Sequence, residues 1–167
     1  HKIRDAEPWC EGAALTQVAA AQNEYESVQV VVNRPGSAVS DVVLQFNAGP
    51  AAGVATLNAP DSTLIHEVRS IDVVKASDCD GGPGRWPDAL VPAIDPWFNE
   101  TRNALPASLR ENSSLLLFWI DIFVDPSVPP GNYSGTVTVH FSGSTGEHGV
   151  APVAVPLTLR VFGFALD

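Results

Sequence analysis

A chain of 167 residues is long enough for one domain with a sizeable core, and 45% hydrophobic residues with a mean hydropathy of +0.09 exclude a disordered polymer. The formal charge of −10 creates a field that repels phosphate backbones and anionic lipid, which speaks against nucleic acid and membrane surfaces as partners. Thirteen glycines, fourteen prolines, only 17% charged residues and no methionine suit many short strands joined by turns better than helices.

The sequence opens at His1 without an initiator methionine or a basic-then-apolar leader, as a mature chain does after signal-peptide removal. A secreted protein is therefore expected. Cys10 and Cys79 lie in polar, Gly/Asp-rich surroundings. An even cysteine count in an extracellular protein reads as one disulfide, with two free thiols as the alternative.

Period-two alternation recurs along the chain, whereas no helix-period segment of useful length is found. Ser27 to Val32 places Val28, Val30 and Val32 on one face, and Val42, Leu44 and Phe46 repeat the pattern after the turn residues Asn33-Arg34-Pro35-Gly36. Thr63 to Arg69 alternates through Leu64, His66 and Val68, and Ile71 to Lys75 extends it. The segment from Asp78 to Glu111, rich in Gly, Pro and Trp, predicts one long structured loop, since its prolines at 83, 87, 92, 96 and 106 oppose long strands or helices. Ser114 to Val124 is apolar on both faces and predicts a central strand, too short and too interrupted by Asp121 to span a bilayer. Val137, Val139 and Phe141 alternate, as do Val153 to Val161, and the two runs are expected to pair across the Gly143 to Gly149 loop. Eight or nine short strands without intervening helices predict an all-β fold, a two-sheet antiparallel β-sandwich of immunoglobulin or jelly-roll type, spanning 1–167 as a single domain.

Three N-glycosylation sequons begin at Asn99, Asn112 and Asn132, where about one is expected by chance among eight asparagines. All lie in turn-like segments where a glycan points into water, which agrees with secretion. Asp78, Asp80 and Asp88 around the Gly-rich loop form a weak calcium candidate, because carboxylate oxygens suit a hard cation, but an EF-hand's third acid and distal Glu are absent. A solvated acidic turn is the preferred reading of these residues. Trp86 and Trp97 are candidates for an apolar platform against a sugar face, the competing reading being Trp–Pro packing that pins the loop to the sandwich.

Catalytic patterns are lacking. Glu24 and Glu26 would share one face of a strand, yet polar groups that satisfy backbone amides at a strand entry explain them better than a carboxylate pair for glycoside cleavage. No G-x-S-x-G elbow occurs, and His1, His66, His140 and His148 lack metal-ligand spacing. Asp121 within an apolar strand must find a hydrogen-bond partner.

Four ordered motifs carry a family resemblance over nearly the whole chain. Asn23-Glu24-Tyr25-Glu26-Ser27-Val28-Gln29, Gly84-Arg85-Trp86-Pro87-Asp88-Ala89-Leu90-Val91-Pro92, Trp119-Ile120-Asp121 and Pro129-Pro130-Gly131-Asn132-Tyr133-Ser134-Gly135-Thr136-Val137 resemble the N-terminal domain of glycoside hydrolase family 123 and related barrel-bearing proteins. The resemblance implies a β-sandwich without catalytic carboxylates, which in that family belong to a following barrel. Asp125 and Asp167 stand where the family commonly has proline. No cofactor is implied.

Three functions follow as expectations. The first is a non-catalytic extracellular structural or assembly subunit that self-associates, into a homo-oligomer or filament, through edge strands or the Lys2-Ile3-Arg4 arm. It ranks first because the sequence stops where the sandwich stops. The second is the ancillary domain of a glycosidase-like enzyme, and the third is a module that binds carbohydrate through Trp86 and Trp97.

Overall fold

The alternating valines and leucines become the inward faces of two stacked four-stranded sheets. The computed structural model describes residues 16–33, 35–75, 82–95, 97–109, 113–142 and 150–167. In chain order the elements are β1 (Thr16–Gln22), β2 (Glu24–Asn33), β3 (Val39–Ala48), the short helix α1 (Ala51–Leu57), β4 (Thr63–Val73), β5 (Gly84–Pro92), β6 (Leu115–Val124), β7 (Gly131–Phe141) and β8 (Val153–Ala165). Sheet 1 has the order β1-β8-β7-β3 and sheet 2 the order β2-β6-β4-β5.

Phe118, Ile120, Ile122 and Val124 of β6 meet Val42, Phe46, Val137, Leu157 and Leu159 of sheet 1 in the shared interior. β6 is central, between β2 and β4, as its two-sided apolar pattern predicts. Its other face carries a second, smaller cluster of Leu115 and Leu117 with Val68, bordered by Val31 and Trp119. β7 and β8 pair antiparallel, Val137 opposite Val155, across the segment foreseen as their loop.

Three expectations are corrected. The sheets are not wholly antiparallel: β1 pairs with β8 in parallel, Thr16 opposite Leu157. The chain crosses from sheet 1 to sheet 2 through Asn23 alone, whose φ of 59° is a left-handed conformation that Asn tolerates. The segment expected as one long structured loop contains β5, which holds Pro87 and Pro92 because it is the edge of its sheet, where a missing N–H breaks no ladder on the open side. Helix α1 was not foreseen, being two turns with too few residues to display a period.

The turn regions show how side chains close the fold. Asn58, just after α1, uses its amide as a peptide substitute: Nδ2 donates to the carbonyl of Phe46 at 2.7 Å and Oδ1 accepts the N–H of Phe46 at 2.8 Å. This satisfies both backbone groups of Phe46 on the outer edge of β3. Tyr133 is fully buried and donates its hydroxyl to the carbonyl of Pro129 at 2.6 Å, locking the turn that enters β7.

Candidate functional site

On sheet 2, the strand alternation that sends Val28 and Ile120 inward sends Ser27, Gln29, Trp119 and Asp121 to the outer face. Ser27 stands opposite Asp121, and Gln29 opposite Trp119; on the other side of β6, His66 stands opposite Trp119 and Leu64 opposite Asp121. Asp121 is the hub. Its Oδ1 accepts the Ser27 hydroxyl at 2.5 Å and the Trp119 indole N–H at 2.7 Å, while its Oδ2 lies 3.8 Å from His66 Nδ1. The partner that Asp121 required is thus shared between two strands. Among the described residues, the only buried side-chain nitrogens without a hydrogen-bond partner are Gln29 Nε2 and His66 Nδ1, one on each side of Trp119. Leaving such atoms unpaired costs roughly 1–3 kcal/mol each.

Apolar side chains on the same face, Tyr25, Leu64 and Leu90, meet water. Tyr25 is 57% exposed with its ring 4.7 Å from that of Phe123, and Leu64, Leu90 and Ile94 are also exposed. The chain runs from β5 into a turn held by Asp95, whose Oδ1 accepts the N–H groups of Trp97 and Phe98 and whose Oδ2 meets Arg102 at 2.6 Å. The Arg102 hydrogen bond and those backbone amides hold the Asp95 carboxyl below the usual range. Trp97 at this turn is 90% exposed.

The other residues singled out in the sequence are dispersed. Trp97 packs no loop against the sandwich, correcting that reading, while Trp86 lies on β5 with its indole N–H donating to Gly82 at 2.8 Å. Asn99 (φ 52°) and Asn132 are both exposed, Asn99 in the Asp95 turn and Asn132 at the start of β7. Cys10, Cys79, Asn112, Asp78, Asp80 and the Lys2-Ile3-Arg4 arm lie outside the described residues. Asp88 is exposed on β5, and among the described residues no three potential ligands gather into a metal-binding group. Glu24 Oε2 accepts the N–H of Ala21 at 2.6 Å and Glu26 Oε1 the N–H of Ser27 at 3.2 Å, the backbone role expected of them. Sequence reasoning missed Glu67, a buried carboxylate paired with Arg69 at 2.6 Å. Arg69 in turn donates to the carbonyl of Asn103, tying β4 to the loop after the Asp95 turn.

Comparison with known proteins bears on the fold. It is similar to part of a solved glycosidase. A family 123 glycoside hydrolase from Clostridium perfringens, described in an analysis of glycolipid glycan hydrolysis, superposes with a TM-score of 0.59 at 15% identity, over 89% of this chain. The match covers 23% of that chain, so the present chain spans under a quarter of the glycosidase. At this identity the likeness is one of fold. No family model and no curated relative matches the sequence. No helix among the described residues is long and apolar enough to cross a membrane.

Proposed function

We propose that this chain is a non-catalytic β-sandwich module of a carbohydrate-active enzyme, and that the outer face of sheet 2 is the surface that seats against the catalytic unit. The observation that carries the reading is the convergence, on one sheet face, of Ser27, Gln29, His66, Trp119 and Asp121 from three strands, bordered by the exposed Tyr25, Leu64 and Leu90. Exposed apolar groups gathered on one sheet face, as Tyr25, Leu64 and Leu90 are here, are a feature of interaction surfaces. The likeness of fold supports this choice of occupant, because the similar structure is a glycosidase whose chain extends far beyond the matched portion. Catalysis belongs to that other unit, since on this face Asp121 is committed to Ser27 and Trp119.

This reading takes precedence over the free-standing assembly subunit. The likeness to part of a larger glycosidase chain supports that order, while the Lys2-Ile3-Arg4 arm lies outside the described residues and Asn58 caps β3 at Phe46. A secreted setting remains part of the proposal, supported by the exposure of Asn99 and Asn132.

The test is hydrolysis. The isolated 167-residue chain is expected to release no product from chromogenic glycosides, and the native polypeptide containing it is expected to exceed 17.6 kDa and to cleave a glycosidic bond. Turnover by the isolated chain, abolished by Asp121→Asn, would overturn the reading.

A further inference from the structure

The opposite outer surface, on sheet 1, carries a different feature. Along β8, Thr158, Arg160, Phe162 and Phe164 alternate outward while Leu157, Leu159 and Val161 are buried. Arg160 stands between Ala19 of β1 and Asn132 of β7, and Thr158 stands between Gln17 and Ser134. The small Ala19 beside the long Arg160 leaves an open depression of about 520 Å³, lined by Gln17, Val18, Ala19, Asn132, Thr158 and Arg160. That volume is within the range of small-molecule sites, roughly 300–1,000 Å³.

The Arg160 guanidinium lies 5.0 Å from the centroid of the Phe162 ring, and Phe164 stacks on Phe162 at 5.7 Å with planes 17° apart. Among the described residues Arg160 is paired with no carboxylate, although the chain carries ten more negative than positive charges. The ring therefore steadies the cation without neutralising it. Two side-chain amides, a hydroxyl and a guanidinium thus converge on the depression, with an exposed aromatic at the end of the same row. Dense donors and acceptors around an open depression match the hydroxyls of a sugar.

A second observation points to the same chemistry. Asn132, on the wall of the depression, is the acceptor of the sequon Asn132-Tyr133-Ser134, and its neighbours Tyr133 and Gly131 face away from solvent or lack a side chain. We propose that this depression is a saccharide-binding groove, with Arg160 its central hydrogen-bond donor, for a short saccharide containing N-acetylhexosamine. The sugar arrives either free or attached to Asn132, and the two sources share the same contacts.

The experiment has two arms on the same chain. Chain made without glycosylation is titrated with N,N′-diacetylchitobiose while the backbone amide NMR signals are followed. Chain secreted from an N-glycosylating host is mapped by glycopeptide mass spectrometry and its amide signals are compared with those of Ser134→Ala, which removes the sequon and keeps Asn132. A free ligand is expected to shift the signals of Gln17, Thr158 and Arg160, with affinity falling about fivefold or more, a change of about 1 kcal/mol, in Arg160→Ala. Ala19→Glu, which fills the depression from an exposed position, is expected to abolish the shifts while leaving the thermal midpoint unchanged. An attached glycan is expected to perturb those same three residues only when the sequon is intact. Absence of groove perturbation in both arms, or identical binding by Arg160→Ala and Ala19→Glu, overturns the proposal; it would leave the module assignment untouched, which rests on the other sheet.

Discussion

A β-carbon added to Gly53 would lie 2.1 Å from the hydroxyl oxygen of Tyr133 and 2.6 Å from Cζ of its ring. Helix α1 approaches β7 this closely only because residue 53 has no side chain. Intrinsic helix propensity favours Ala over Gly by about 1 kcal/mol, whereas forcing a methyl into a filled site costs about 1–3 kcal/mol. The overlap here is with a fully buried ring that is also hydrogen-bonded, so the steric term wins. Gly53→Ala is expected to lower stability by about 1–2 kcal/mol net in urea denaturation. A rise in the midpoint would show that Tyr133 has room to move.

Removing the hydroxyl of that tyrosine tests the other half of the contact. Tyr133→Phe keeps the ring but leaves the Pro129 carbonyl without its 2.6 Å donor. The expected loss is about 1 kcal/mol, the ordinary worth of a neutral hydrogen bond. Burial also raises the Tyr133 hydroxyl above its usual pKa. The stabilisation linked to that shift is fully present below about pH 10, the unfolded value, and is lost as pH rises through the higher folded value. Wild-type stability is therefore expected to fall in the alkaline range more steeply than that of Tyr133→Phe, as read by denaturation at several pH values.

At the acid end, Asp95 and Asp125 act in the opposite sense. The Arg102 hydrogen bond lowers the first and the Ser127 hydroxyl lowers the second. Their contribution is present above the unfolded aspartate value of about 3.9 and disappears as pH falls through the lower folded values. Both residues are half-buried and still in contact with water, so the effect is small and salt-sensitive. Arg102→Ala is expected to bring the Asp95 titration, followed by carboxyl NMR, back towards the unfolded value.

Asp121 joins two strands through one carboxylate oxygen. Asp121→Ala would leave the Ser27 hydroxyl and the Trp119 indole N–H without their acceptor. A destabilisation of about 2–3 kcal/mol is expected from two hydrogen bonds to a charged group, with a change in Trp fluorescence. An unchanged denaturation midpoint would mean that water replaces the carboxylate without cost.

Period-two alternation made β2, β3, β4, β7 and β8 legible because each has one face in a shared interior and so must repeat every second residue, while β6 was legible from its two-sided apolar run. β1 escaped notice since Ala19, Ala20 and Ala21 carry little strand preference and no contrast between faces. Its parallel pairing was unreadable for a deeper reason: alternation says which face is buried, never in which direction a neighbour runs. β5 was hidden by Pro87 and Pro92, whose cost vanishes at an edge that no sequence pattern announces. The site was half legible. Asp121 in an apolar strand demanded a partner, but Ser27 is 94 residues away and becomes its neighbour only through the β2–β6 register. The depression beside Arg160 could not be foreseen either, because Ala19, Asn132 and Arg160 are drawn together from three distant strands.

The claim on which the account rests is that the outer face of sheet 2 is covered in the working protein. Hydroxyl-radical footprinting of the native polypeptide, compared with the isolated chain, measures that cover residue by residue. Labelling of Tyr25, Leu64 and Leu90, all exposed in the chain alone, is predicted to drop severalfold, while Phe164 on the opposite sheet stays as reactive as before. Equal labelling of Tyr25, Leu64 and Leu90 in both forms would contradict it.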